Sequence, residues 1–60
     1  MYGVSKENTI KFMQYIVNTN GSPTSAMARE CGVEDWWCEW IMRNPDPVKA
    51  VEIAKKYLGR

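Results

Sequence analysis

The sequence predicts an all-α protein, a small three- to four-helix bundle that contains a helix-turn-helix. Three observations point there. Apolar residues recur at helical spacing in four separate stretches, and none alternates as a half-buried strand would. Start and stop residues bracket those stretches: Ser5, Ser22-Pro23 and Asp46-Pro47 on the leading side, Gly21, Gly32, Asn44-Pro45 and Gly59 on the trailing side. Between Pro23 and Met42, finally, Met27, Ala28, Cys31, Gly32-Val33, Cys38 and Ile41 fall at the offsets of two short helices that share a core across a glycine.

Met1 to Val4 form a short lead-in, and Ser5 is the expected N-cap of a helix over 5–18. Its stripe of Ile10, Phe12, Met13, Tyr15, Ile16 and Val17 is broad, and Thr19-Asn20-Gly21-Ser22 is a turn cluster that stops it. Ser22 as cap with Pro23 at the first helical position predicts a second helix over 23–31. Ala28 is small because the next helix crosses above it, and Gly32 occupies the reversal, where a positive φ favours a residue without Cβ. Glu34 or Asp35 is expected to cap a third helix over 34–44, ended by Asn44-Pro45. Asp46 and Pro47 open a fourth over 47–58, in which Val48, Val51, Ile53, Ala54, Tyr57 and Leu58 are apolar. Lys55, Lys56 and Arg60 favour the negative end of its dipole, and Gly59 stops it. The expected core is Phe12, Ile16, Ala28, Val33, Cys38, Ile41, Val51 and Ala54.

Sixty residues form one domain over 1–60, near the lower limit for a self-sufficient core. No apolar run is long enough to span a bilayer and no signal-peptide pattern opens the chain, so no membrane role and a cytoplasmic location are expected. A net charge of +1 gives no bulk attraction for nucleic acid, so a DNA role has to come from local placement. The chain has no histidine and no glycine-rich phosphate loop; no enzymatic activity, metal or cofactor is expected. Cys31 and Cys38, with too few companions for a zinc site, are expected to be two buried, reduced thiols.

The run Phe12-Met13-Gln14-Tyr15-Ile16, Asn20-Gly21, Ala26-Met27-Ala28, Cys31-Gly32-Val33, Asn44-Pro45 and Val48 resembles the N-terminal helix-turn-helix of bacteriophage small terminase subunits and related phage regulators, over about Thr9 to Lys55. The resemblance implies a DNA-binding unit, often oligomeric, whose third helix enters the major groove in transcription control or DNA packaging. On that basis Arg29, Arg43 and Lys49 would position the domain on the phosphates of double-stranded DNA, and dimerisation would supply affinity that one weakly charged domain lacks.

The third helix itself differs from that pattern. With Cys38 and Ile41 turned inward, its outer face carries Asp35, Trp36, Glu39 and either Trp40 or Arg43, with Glu34 at its start. Carboxylates facing phosphates repel, although an acid can accept from cytosine N4. The same face suits a second function: a helix-turn-helix scaffold used for protein interaction, docking an acidic, tryptophan-rich surface onto a basic, apolar patch of a host or phage protein. The candidate DNA- or partner-binding residues are therefore Arg29, Glu34, Asp35, Trp36, Glu39, Trp40, Arg43 and Lys49.

Overall fold

The computed structural model describes residues 4–59 and contains four helices: α1 (Lys6–Asn18), α2 (Ser25–Glu30), α3 (Glu34–Arg43) and α4 (Pro47–Leu58). The expected all-α bundle is thus observed, with no strand among the described residues. The lead-in at 1–3 and the contribution of Arg60 to the last turn lie outside the described residues.

Both ends of α1 are closed by local hydrogen bonds. The Ser5 hydroxyl accepts the Asn8 N–H at 3.1 Å, and the buried Thr9 hydroxyl donates to the Ser5 carbonyl at 3.0 Å. At the other end the Gly21 N–H reaches back to Ile16 O at 2.8 Å and the Asn20 N–H to Val17 O at 3.2 Å, the bond pair of a Schellman motif with Asn20 left-handed at φ 56°. Gly21 follows at φ 89°, and a Cβ there would run into the backbone of Pro47 at the start of α4. The end of α1 therefore lies against the beginning of α4. At the opposite end, Lys6, Ile10 and Gln14 of α1 share one groove with Tyr57 and Leu58 of α4. The two helices are antiparallel neighbours, packed closely because α4 turns Ala50 and Ala54, both fully buried, toward α1.

The second helix starts later than the sequence suggests. Thr24, not Ser22, is its N-cap, accepting the Met27 N–H at 3.2 Å. Ser22 precedes a proline, which favours extended backbone, and the chain stays extended through Thr24 at ψ 161°. Pro23 thus lies before the cap instead of inside the helix. A second Schellman pair closes α2, with Val33 N–H to Ala28 O at 2.9 Å, Gly32 N–H to Arg29 O at 3.1 Å, and Gly32 at φ 71°. The apolar residue of that motif, Val33, is 1% exposed, and it also occupies the cap position of α3. Its side chain cannot accept a hydrogen bond, so neither Glu34 nor Asp35 is the cap. They stand in the first turn, where their charge favours the positive end of the helix dipole.

The expectation that Cys38 faces the core is wrong. Cys38 is exposed, and the buried residue of α3 is Trp37. The helix is rotated by one residue, about 100°, from the orientation the spacing suggested. Burying an indole removes far more apolar surface from water than burying a thiol, and Val33, Trp37 and Ile41 then stack along one side. Ile41 and Val51, expected in the core, are half-buried at its edge, whereas Phe12, Ile16, Ala28, Val33 and Ala54 are buried as expected, together with Met13, Cys31 and Ala50. The short dimension of the molecule is 18 Å, two packed helices deep. Among the described residues, no helix is long and apolar enough to cross a membrane.

Candidate functional site

The rotation of α3 decides what its outer face carries. Phe12, at the centre of the core, meets Trp36 and Trp37 in T-shaped pairs at centroid distances of 6.3 and 5.2 Å, and Trp40 stacks on Trp37 at 5.5 Å with 12° between planes. Trp36 and Trp40 are consequently half-buried and packed, where an outward position had been expected for Trp36. The outer face is instead Asp35, Cys38, Glu39, Met42 and Arg43, all exposed, with Met42 at 82%. Asp35, Glu39 and Met42 are spaced i, i+4 and i+7 and form one stripe.

The remaining candidates are distributed elsewhere. Arg29, at the end of α2, donates from Nε to Glu34 at 3.1 Å across the turn, so the guanidinium expected to meet phosphate is already beside a carboxylate. Lys49 is in the first turn of α4, a helix that makes no close backbone approach to α3. The structure thus brings Glu34, Asp35 and Glu39 onto one helix with Arg43, joins Arg29 to Glu34, and leaves Lys49 on another layer.

Two features were not anticipated. Tyr15 of α1 donates its phenol proton to Glu30 Oε2 at 2.6 Å, and Lys11 Nζ lies 3.4 Å from Glu30 Oε1, so one carboxylate ties α2 to α1. Accepting from Tyr15, and then facing Lys11, holds the Glu30 carboxyl below its ordinary value, while donation to Glu30 raises the Tyr15 phenol. Burial raises the Cys31 thiol. The other feature is the groove of about 480 Å³ lined by Lys6, Ile10, Gln14, Tyr57 and Leu58, an apolar floor with a cation at its margin. Its sequence signal is the spacing Lys6, Ile10, Gln14 beside Tyr57 and Leu58, which acquires meaning only once α1 and α4 are paired antiparallel.

Among the described residues, no group of three or more His, Cys, Asp or Glu side chains is placed to hold a metal ion, and no buried side-chain polar atom lacks a hydrogen-bond partner. Comparison of the chain with family models, curated proteins and solved structures finds no match.

Proposed function

We propose that this domain is a protein-docking module whose outer α3 face takes a basic, apolar surface of a partner. The observation that carries this reading is the stripe itself: Met42 is 82% exposed in line with Asp35 and Glu39. Methionine and aromatic residues are enriched where interfaces desolvate, and flanking charges select partner and orientation. Because Trp36 and Trp40 are engaged in the core, Met42 takes the role of anchor that the sequence assigned to the tryptophans.

The second reading, a phage-type DNA reader acting in transcription control or packaging, is favoured by one observation, the three-residue turn closed by Gly32 between α2 and α3. It would require α3 to enter the major groove with Asp35 and Glu39 toward the phosphates, and Arg29 to leave Glu34. Tryptophan fluorescence decides between the two, with the chain titrated at low and high salt against a labelled duplex and against a synthetic amphipathic peptide of lysine and leucine. Saturable peptide binding that Met42→Ser removes, with no duplex binding at low salt, is the expected result. Duplex binding that falls steeply with salt would replace the docking reading with the DNA reading.

A further inference from the structure

The charges of this chain nearly cancel in sum, to +1, but not in space. Helices α1 and α4 carry five lysines against Glu7 and Glu52, while α2 and α3 carry four carboxylates against Arg29 and Arg43. The large exposed apolar side chains are divided along the same line: Met42 on α3, and Val48, Ile53 and Tyr57 on α4. On α4, Lys49, Ile53, Lys56 and Tyr57 fall at i, i+4, i+7 and i+8 and form one stripe, of which Tyr57 lines the α1–α4 groove; Lys6 borders that groove from α1. A basic, apolar surface of the kind that suits α3 is therefore present on the same molecule.

We infer that the partner of the α3 face is a second copy of this chain, with Met42 of one copy seated in the α1–α4 groove of the next and Asp35 and Glu39 set against Lys6 of that copy. This rests on α3 being a docking face and names its occupant. A methionine is unbranched and adapts to irregular hollows, and the groove's volume of about 480 Å³ accommodates it. The charges at the margin fix the direction of approach. Because α3 and α4 make no close backbone approach, one copy presents both faces at once. The two patches differ, so the contact is head to tail, and it extends into short chains or closes into a ring instead of stopping at a two-fold dimer. A contact made by one helix stripe and one groove lies at the small, weak end of interfaces.

Sedimentation velocity of the full chain, under reducing conditions and over a hundredfold range of concentration, tests the inference. The wild type should rise above its 6.9 kDa monomer mass with concentration and fall back as salt is added. Met42→Ser removes the knob and Lys6→Glu reverses the charge at the groove. Both positions are exposed, so unchanged circular dichroism should accompany a monomeric result for each variant alone. Mixed together they should form a complex of two chains and nothing larger, since one variant retains the groove and the other the knob. A wild type that stays monomeric throughout, association that survives Met42→Ser, or a mixture that does not pair would each overturn self-association. If the chain stays monomeric yet binds the lysine–leucine peptide in a Met42-dependent way, self-association fails while the docking face stands. If neither assembly nor peptide binding occurs, both fail.

Discussion

The α1–α4 layer and the α2–α3 arm are held by opposite means. Between α1 and α4 the backbones approach closely, since Ala50 and Ala54 put almost nothing between the helices and Gly21 admits the Pro47 carbonyl. α3 makes no such approach to α1; it is held at ring's length through Phe12, Trp36 and Trp37. One region depends on side chains being small and the other on their being large. The first should therefore tolerate no growth, the second no truncation, and the two classes of substitution can be set against each other.

The largest effect is expected where both regions meet. Phe12 is fully buried and touches the arm through two indoles. Phe12→Ala should cost about 3–5 kcal/mol, a large share of the stability of so small a domain, and circular dichroism with denaturant titration should show a largely unfolded chain. A folded Phe12→Ala protein would mean that the arm is held by something other than the aromatic contact.

Next come the two turn glycines, one in each region and both at positive φ. At Gly32 a Cβ would meet nothing within 4 Å, so Gly32→Ala should cost only the left-handed backbone term, about 1–2 kcal/mol. At Gly21 the same term is joined by the collision with Pro47, and Gly21→Ala should cost about 2–4 kcal/mol. Thermal melts of the two variants side by side give the difference. Equal losses would show that α4 can move off the turn without penalty, contrary to a tightly packed layer.

The cysteines mark the inside and outside of the arm. Cys31 is fully buried with its thiol raised by burial, and Cys38 is exposed on the outer face of α3. A thiol reagent should modify one sulfur quickly in the native protein and the second only in denaturant. Mass spectrometry of the peptides should assign the fast site to Cys38. Slow labelling of both would restore the orientation suggested by sequence spacing, with Cys38 inside.

That test also shows where the sequence was legible and where it was not. Ser5, Asp46-Pro47, Gly32 and Gly59 announce their helix ends because capping is local chemistry, settled within a few residues. Ser22 and Thr24 are both competent caps, and only the extended backbone around Pro23 separates them. The orientation of α3 is harder: Trp36, Trp37, Cys38, Trp40, Ile41 and Met42 place apolar atoms around much of the helix, so periodicity defines no single inner face and the volume available beside Phe12 decides. The outer stripe of the candidate site inherits that ambiguity. Asp35, Glu39 and Arg43 were legible on it, whereas Met42 was hidden and Trp36 misplaced. The link from Tyr15 to Glu30 joins residues on different helices and leaves no local signal at all.

That link offers the smallest effect and the finest comparison, because together with the Lys11–Glu30 ion pair it ties the α1–α4 layer to the arm through one carboxylate. Glu30 has its carboxyl lowered from 4.5, so its contribution is present above that value and is lost as pH falls through the lower folded one. Tyr15 has its phenol raised from 10.0, so its contribution is present below that value and is lost as pH rises through the higher folded one. The tie is therefore at full strength between 4.5 and 10.0 and weakens on both sides. Tyr15→Phe removes the phenol hydrogen bond while keeping the ring and the Lys11–Glu30 ion pair. The Tm difference between wild type and Tyr15→Phe should be greatest near neutrality and shrink at both extremes, and it should be small throughout because both groups are near water. A difference that stays constant from acid to alkali would mean that the hydroxyl acts through packing alone and that the arm owes nothing to this charge-assisted bond.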